Sequence, residues 1–335
     1  MNPTSFKAYW ITEENDGSFH HQIIRRDTAQ LPQNGVLIRV EYSSLNYKDA
    51  LSATGNKGVT RRYPHTPGID AAGIVSESTS PGFKPGDAVI VTGYDLGMNT
   101  MGGFGEYINV PAEWVVLLPS GMSLKESMIL GTAGFTAALG MHQLLRCGQK
   151  PSDGPLLITG ATGGVGGFSV AIASKLGFDV TASTGKTDKN EYLHHLGAKT
   201  IIRRAEVDDP SGRMLLRPQW AGAIDTVGGN TLATILKSLK PHGNVASCGN
   251  VASPLLNTSV FPFILNGVNL LGINSATTPM SVRRSIWEKL ADTWKPDLQR
   301  IRTEVVGLDN IHISIEKILS GEITGRVVLE HQIQV

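Results

Sequence analysis

The first part of the chain carries short runs in which apolar and polar residues alternate. Residues 36–42 follow a period close to two, which is typical of a half-buried strand. Further apolar runs at 88–91, 107–110 and 115–118 are separated by turns that contain glycine and proline. Many short strands at this spacing predict an all-β barrel or sandwich over about the first 120 residues.

From about residue 123 the pattern changes to an alternation of helices and strands. Between residues 165 and 176, apolar side chains recur at spacings of three, four and four, which predicts a helix with one buried stripe. Short apolar runs, predicted as strands, lie at 156–159, 180–183, 200–202, 223–226, 244–247 and 269–273. Their alternation with helical segments predicts βαβ units and a parallel sheet.

Composition narrows the class of protein. The chain has 335 residues and a formal net charge of +1, and 18% of its residues are charged. That share is below the usual ~25% and the charge is balanced, which argues against disorder and against a basic nucleic-acid surface. The 38 glycines predict many tight turns and close backbone approaches.

Cysteine usage and the apolar segments bear on the compartment. Only Cys147 and Cys248 are present, which excludes a disulfide framework and a four-cysteine zinc site. The N-terminus lacks the pattern of a signal peptide. The longest apolar stretch, 251–273, is interrupted by proline and asparagine, so it is a poor membrane span. We therefore expect a cytoplasmic protein without a membrane partner.

The strongest local motif is ITGATGGVGG at 158–167, placed after a predicted strand and before a predicted helix. Glycines here let the backbone approach a pyrophosphate, and the helix N-terminus offers free N–H groups and a positive dipole end. The predicted cofactor contacts in this turn are Gly163, Gly164, Val165 and Gly166. A tight turn without a ligand is the weaker alternative.

The end of the next strand indicates which dinucleotide is bound. An NAD site usually has a carboxylate about 20 residues after the glycines. Here Ser183, Thr184 and Lys186 stand there instead. Hydroxyls and a cation suit a 2′-phosphate, so we predict NADPH. Arg203 and Arg204 follow the third strand and could add charge, and we predict that Arg204 contacts the cofactor. The alternative is that Lys186 and both arginines are solvated surface charges.

A second polar cluster lies in residues 43–51 and 65–73. It contains Asn46, Tyr47, Asp49 and Asp70. Tyr47, with a reference pKa of about 10, could donate a proton. Asn46 could stabilise an oxyanion. Asparagine and aspartate at turns more often bond local backbone, and composition and spacing leave both readings open.

Several motifs, in order along the chain, resemble the zinc-free branch of the medium-chain dehydrogenase/reductase superfamily, the quinone oxidoreductases and acrylyl-CoA reductases. The motifs are VLIRVEYSSLNYKD at 36–49, PGID at 67–70, FKPGDAVIVTG at 83–93, GGFGEY at 102–107, GTAGFTA at 131–137, TGATGGVG at 159–166, GAIDTVGG at 222–229 and GRVVLE at 325–330. Together they cover nearly the whole chain.

The resemblance implies an α/β fold in which a Rossmann dinucleotide-binding domain is inserted into a GroES-like β-barrel catalytic domain. We expect residues 1–125 and 276–335 to form the catalytic domain, and residues 126–275 the NADP-binding domain. Strand 269–273 resembles the family's dimerisation strand, which implies a homodimer. Zinc-dependent relatives carry a cysteine near Asn46 and a His–Glu pair near Asp70; this chain lacks these ligands, so we expect no metal.

The resemblance also implies the reaction. NADPH would deliver a hydride to the β-carbon of a double bond activated by a carbonyl, and the resulting enolate would need charge stabilisation and a proton. We expect Tyr47 to be the proton donor or a contact of the nicotinamide pocket, with water or the cofactor ribose as the alternative donor. Asn46 would orient the carbonyl, and Asp49 and Asp70 would hold neighbouring donors. Asn250 and Arg326 map onto cofactor-contact regions.

Three functions stay open. The first is an NADPH-dependent reductase of an α,β-unsaturated thioester such as acrylyl-CoA. The second is a quinone reductase on the same scaffold. The third is a non-catalytic NADPH-binding sensor or structural protein. Arg61 and Arg62 could meet a CoA phosphate, although a solvated loop is the more common situation, and Cys248 could lie near the nicotinamide, although a small buried cysteine is commoner.

Overall fold

The computed structural model describes residues 4–33 and 35–332. The strands, in chain order, are β1 (Ser5–Glu13), β2 (Phe19–Asp27), β3 (Val36–Ser44), β4 (Asp70–Ser78), β5 (Ala88–Thr92), β6 (Tyr107–Val110), β7 (Val115–Leu117), β8 (Leu156–Ile158), β9 (Val180–Thr184), β10 (Thr200–Arg203), β11 (Trp220–Asp225), β12 (Leu239–Ser247), β13 (Asn269–Gly272), β14 (Thr303–Val306) and β15 (Arg326–Glu330). The helices are α1 (Tyr47–Ala53), α2 (Leu124–Arg146), α3 (Gly164–Lys175), α4 (Asn190–His195), α5 (Gly229–Ser238), α6 (Phe261–Asn266), α7 (Met280–Ala291) and α8 (Ile311–Leu319).

The first compact unit is mainly antiparallel β-structure. It comprises Met1–Thr132, Ala276–Ser285 and Arg302–Val335, within the described residues. Its large sheet has the order β14-β15-β3-β4-β5-β7, and β6 also pairs with β3. β1 and β2 form a separate antiparallel hairpin. In β3 the apolar side chains of Val36, Ile38 and Val40 are all buried, as the predicted period of two requires, and Leu37 on the other face is buried too.

The second compact unit is a parallel sheet with crossover helices. It comprises Ala133–Ser275 and Ile286–Ile301. Its strand order is β10-β9-β8-β11-β12-β13, and each neighbouring pair is parallel. Counted within the unit, that order is 3-2-1-4-5-6, the arrangement of a dinucleotide-binding Rossmann sheet. The predicted strands and the helix over 165–176 are confirmed as β8–β13 and α3.

The boundaries of the units can be set beside the predicted domains. Residues 126–132, predicted in the NADP-binding domain, group with the first unit. Residues 286–301, predicted in the catalytic domain, group with the second unit. Their packing explains this, because Trp287 is fully buried there and stacks on Phe135 at 5.9 Å between ring centres. The outer limits of the predicted domains, residues 1 and 335, lie outside the described residues.

Helix α2 is interrupted by a single non-helical residue. Gly131 has φ 52° and ψ −158°, a conformation that a residue with a side chain rarely adopts. α2 is also the one helix of the described chain that is long and apolar enough to span a membrane, and 72% of its most apolar window is buried. Because a buried core helix meets the same criterion, this is weak evidence for a membrane segment.

Candidate functional site

The glycine-rich turn joins β8 to α3 in the second unit. Gly163 is the N-cap residue of α3, and no side chain caps the helix. The turn itself is closed by backbone hydrogen bonds from Gly163 N to Gly160 O at 2.9 Å and from Ala161 N to Ser183 O at 3.2 Å. The N–H groups of the first helical turn have no intrahelical acceptor, so they and the positive end of the dipole are available to an anion.

Two glycines of this turn differ in the space around their Cα atoms. A Cβ at Gly166 would overlap the carbonyl oxygen of Gly160, so this glycine permits the close packing of the helix on the turn. At Gly163 an added Cβ would have a single neighbour within 4 Å, Gly160 O at 3.3 Å, so apart from this one tight backbone contact the space in front of the residue is open. An open approach to uncapped N–H groups fits the pyrophosphate of a dinucleotide.

The end of β9 carries the residues predicted to select the dinucleotide. Ser183 and Thr184 are buried at the strand end, and the hydroxyl of Thr184 accepts a hydrogen bond from Lys186 N at 3.0 Å. The guanidinium of Arg204 lies against Gly185, 3.5 Å from the position of an added Cβ. The structure therefore brings Thr184, Lys186 and Arg204 together beside the turn.

A pocket of about 370 Å³ opens next to these residues. It is lined by Thr184, Thr187, Asn190, Ile201, Ile202, Arg203 and Glu206. Arg203 lies 4.0 Å from the Glu206 carboxylate, on an exposed surface. Because Glu206 offsets this charge, Arg204 is the better placed of the two arginines to meet a phosphate.

Cys248 and Asn250 follow β12. Asn250 is exposed. Cys248 donates to Asp225 O at 3.4 Å, and burial, with the charge of Asp225 adding, raises the pKa of its thiol to about 12. A thiol in this state is a packing group and a poor nucleophile.

In the first unit, Asp70 is the centre of a buried hydrogen-bond network. Its carboxylate is fully buried and accepts bonds from Ser44 Oγ at 2.7 Å, Asn46 Nδ2 at 2.8 Å, Thr132 N at 2.8 Å and Thr132 Oγ1 at 2.5 Å. A buried carboxylate needs such partners, since each unsatisfied lone pair would cost free energy.

Gly131 makes this network possible. A Cβ at this position would come within 2.6 Å of Asp70 Oδ2 and 2.5 Å of Ser44 Oγ. Its left-handed conformation breaks α2 just before Thr132, whose N–H and hydroxyl both reach Asp70. Ser44 and Thr132 were not among the predicted site residues. The signal for Thr132 lay in the GTAGFTA motif, because a glycine followed by a hydroxyl residue interrupts a helical pattern there.

Arg326 is buried in the same network. Its guanidinium donates to Ile129 O at 3.1 Å and to Leu45 O at 3.4 Å, and its NH1 and NH2 lie 3.5 Å from Asn46 Oδ1. Burial lowers the pKa of Arg326, while the charges of Asp70 and Asp49 oppose that shift. The side chain was predicted as a cofactor contact, but the structure places it among protein acceptors inside the first unit.

Asn46 links the two charges of this network. Its Nδ2 donates to Asp70 and, at 3.2 Å, to Ser44 O, while its Oδ1 faces the guanidinium of Arg326. Both amide protons are therefore engaged. The predicted role of Asn46 as a donor to a substrate carbonyl does not fit this geometry, because the residue has no free proton to offer.

Asp49 holds the backbone at two places. Its carboxylate accepts from Asn46 N at 2.7 Å, at the start of α1, and from Gly68 N and Ile69 N at 3.1 and 2.8 Å. Burial, with the charge of Asp70 adding, raises the pKa of Asp49 from 3.8 to about 7. Since the folded state then binds the extra proton, the contribution of Asp49 to stability is largest below pH 4 and falls as the pH rises towards 7.

Tyr47 differs from its three polar neighbours. It is the first residue of α1, and its side chain is 55% exposed. No hydrogen-bond partner of its hydroxyl lies among the described residues. Of the four predicted catalytic side chains, Tyr47 alone presents a polar group that the network does not use.

Comparison with known proteins identifies the chain's relatives. Residues 32–120 match the alcohol dehydrogenase GroES-like domain, and residues 164–293 match the family described as zinc-binding dehydrogenase. The predicted fold class, a GroES-like domain with an inserted Rossmann domain, is confirmed by these matches and by the structures below.

Three relatives match the chain over almost its whole length. The "Putative quinone oxidoreductase YhfP" of Bacillus subtilis is 45% identical over 317 residues, 94% of this chain and 96% of that protein. Its crystal structure with NAD bound has a TM-score of 0.95 and covers 98% of this chain and 99% of that one. Acrylyl-CoA reductase AcuI of Ruegeria pomeroyi is 40% identical over 95% of this chain and 96% of its own. The yhdH oxidoreductase of Salmonella enterica, in complex with NADP, is 38% identical, with a TM-score of 0.94 and coverage of 98% and 100%.

The name of one matched family raises the question of a zinc ion. Among residues 4–33 and 35–332, no group of three or more His, Cys, Asp or Glu side chains could hold a metal ion. The carboxylate of Asp70 is filled by four hydrogen bonds and shares its surroundings with the guanidinium of Arg326. This set of donors does not fit zinc.

Proposed function

From the premise that the chain belongs to the medium-chain dehydrogenase/reductase family and is an oxidoreductase, we propose that it uses NADPH to reduce an activated carbon–carbon double bond. The substrate class is an α,β-unsaturated thioester of the acrylyl-CoA type, and the reaction needs no metal. The observation that carries the proposal is the uncapped α3 N-terminus beside a strand end with hydroxyls and cations in place of a carboxylate. The names of the AcuI relatives support the substrate class.

NADPH supplies the hydride when it is bound. The N-terminus of α3 would hold its pyrophosphate, and Thr184, Lys186 and Arg204 would hold its 2′-phosphate. Ser183 supports the strand end from its buried position. One relative's structure contains NADP and another contains NAD, and we take the charge at the end of β9 as the feature that favours NADPH in this chain.

The chain's own residues would deal with the enolate that hydride addition creates. We assign the proton to the hydroxyl of Tyr47, which is exposed and is not used by the buried network. Asn46, Asp49 and Asp70 act as positioning residues, because they fix the first turn of α1 and thereby the direction of Tyr47. The proton goes from the tyrosine oxygen to the α-carbon, and solvent restores it.

A substrate panel tests the proposal. NADPH oxidation is followed with acrylyl-CoA, crotonyl-CoA and 1,4-benzoquinone, and acrylyl-CoA is expected to give the highest kcat/KM. Preferential turnover of the quinone would favour the second candidate, a quinone reductase. The name of the YhfP relative supports this candidate. NADPH binding without oxidation by any of the three would favour a sensor or structural protein.

Tyr47→Phe tests the proton donor. The variant keeps the ring and removes the proton, so kcat with acrylyl-CoA is expected to fall by roughly 100-fold. Tyr107→Phe serves as the control, because Tyr107 packs on Phe6 and no role is proposed for it. Near-normal turnover of Tyr47→Phe would assign the proton to water or to the cofactor ribose.

We also propose that the protein is a cytoplasmic homodimer formed through β13. This strand is at the edge of its sheet, and exposed apolar side chains lie on it and on the segment before it. They are Val251, Leu255, Val260, Ile264, Leu265 and Leu270. Sedimentation equilibrium is expected to give twice the mass of the 35.8 kDa chain, and Leu265→Glu with Ile264→Glu is expected to give the monomer.

A further inference from the structure

An arginine pair next to α1 has no role in the network described above. Arg61 and Arg62 are both exposed. Neither guanidinium has a hydrogen-bond or ion-pair partner among the described residues. The surrounding segment 50–69 contains no aspartate or glutamate and three cations. The third cation, Lys57, is paired with Glu13 at 2.5 Å and lies over the ring of Tyr63. The unpaired positive charge of this segment is therefore concentrated on the two arginines.

The backbone that carries the pair is held from both sides. Just before it, the Thr60 and Ser52 hydroxyls share a hydrogen bond of 2.7 Å, and both side chains are fully buried. Just after it, Tyr63 Oη donates to Ser52 O at 2.6 Å. Arg61 N donates to Asn99 Oδ1 at 3.2 Å. The arginines thus project from a fixed loop, which lowers the entropy lost when they bind a ligand.

The anchor connects this loop to the proposed proton donor. Ser52 belongs to α1, the helix that begins with Tyr47. Five residues of helix separate the two positions, roughly 8 Å along the axis. The cationic loop is fixed near one end of α1, and the exposed hydroxyl of Tyr47 lies at the other end. Such an arrangement suits a substrate whose reactive head meets the hydroxyl and whose anionic tail meets the arginines.

We propose that Arg61 and Arg62 bind the phosphate groups of the coenzyme A moiety of the substrate. The inference rests on the proposed function and adds to it the reason why a thioester of coenzyme A would be preferred over a phosphate-free electrophile. Guanidinium groups pair with phosphate oxygens through charge-assisted hydrogen bonds, and two adjacent arginines offer several such donors. NADPH is the other source of phosphate in the reaction, so the test separates the two.

The test compares two thioesters that share the reactive acrylyl group. Acrylyl-CoA carries phosphates, and acrylyl-N-acetylcysteamine carries none. In the double variant Arg61→Ala/Arg62→Ala, KM for acrylyl-CoA is expected to rise roughly tenfold. KM for acrylyl-N-acetylcysteamine and KM for NADPH are expected to stay within about twofold. Wild-type KM for acrylyl-CoA is expected to rise with salt, because salt screens the attraction between the arginines and the phosphates. This dependence is expected to weaken in the variant, which lacks the two cations.

The control removes the same charge elsewhere. Arg25→Ala/Arg217→Ala changes two exposed arginines on β2 and before β11, and KM for acrylyl-CoA is expected to stay near the wild-type value. An equal rise of KM in the control, or an equal rise for both thioesters, would overturn the inference. A rise in KM for NADPH alone would assign the arginines to the cofactor and overturn it too. If the wild type reduces neither thioester, the proposed function fails; if it reduces both with equal KM, only the inference fails.

Discussion

The glycine-rich turn of the second unit and the Asp70 network of the first are both dense in polar groups, and they treat those groups in opposite ways. In the turn, the first N–H groups of α3 are uncapped, and the space before Gly163 is open. In the network, the carboxylate of Asp70 accepts four hydrogen bonds and both amide protons of Asn46 are used. Unused polar groups are ready for a ligand, whereas satisfied ones stabilise the fold.

The same distinction separates Tyr47 from its neighbours. Asn46, Asp49 and Asp70 were predicted as catalytic on the same grounds as Tyr47. Their hydrogen bonds support the proposed positioning role, because a group whose protons and lone pairs are engaged inside the protein must break those bonds to act on a substrate. Tyr47 breaks none, and it remains the candidate for proton transfer.

Removal of the Asp70 carboxylate is the strongest test of the network. Asp70→Ala removes one of the two negative charges that oppose the buried Arg326, and it removes an acceptor to which Ser44, Asn46 and Thr132 all donate. We expect a loss of about 3–5 kcal/mol in the free energy of unfolding of the first unit. The measurement is the midpoint of urea unfolding, monitored by near-UV circular dichroism. Because the chain has two units, the midpoint is assigned to the unfolding of the first unit and not to a two-state transition of the whole chain.

A double-mutant cycle and a surface control complete this test. Asp70→Ala/Arg326→Met removes both charges, so its loss should be smaller than the sum of the single losses. Glu304→Ala, on the exposed face of β14, should leave the midpoint unchanged. An unchanged midpoint for Asp70→Ala would contradict the stabilising role of the carboxylate.

The turn can be tested by comparing two of its own glycines. Gly166→Ala places a Cβ against Gly160 O, so we expect overpacking to cost about 1–3 kcal/mol and to weaken NADPH binding more than tenfold. Gly163→Ala has φ −80° and one tight contact, 3.3 Å to Gly160 O, so we expect only a small loss of stability while the methyl group obstructs the pyrophosphate. The expected signature is weaker NADPH binding by calorimetry at a nearly unchanged melting temperature.

The Gly163 variant carries the sharper decision. If it binds NADPH as tightly as the wild type, the open space is not the pyrophosphate site, and the turn is a plain βα connection. Gly307→Ala is the matched control, since it has φ −85° and adds the same methyl group with no atom within 4 Å.

Sequence patterns predicted more of the fold than of the candidate site. The strands of the parallel sheet and helix α3 follow from periodicity and flanking glycines, which are local properties. Helix α1 was missed because it has only seven residues, and its start depends on the bond from Asn46 N to the side chain of Asp49. The network was beyond sequence reasoning because its members come from positions 44, 46, 70, 132 and 326, which only the folded chain brings together. Charge at the end of β9 could be read directly, since those residues are adjacent in sequence.

The smallest expected effect concerns the choice between the two dinucleotides. Lys186→Glu replaces a cation beside Thr184 and Arg204 by an anion, which repels a 2′-phosphate but has little to act on in NADH. We expect KM for NADPH to rise roughly tenfold, about 1.4 kcal/mol, and KM for NADH to change less than twofold. Lys189→Glu is the control on the same segment, because Lys189 is already paired with Asp188. Equal changes for both nucleotides would show that the turn binds a dinucleotide without discriminating by its 2′-phosphate. The cations at the end of β9 would then have no role in cofactor selection.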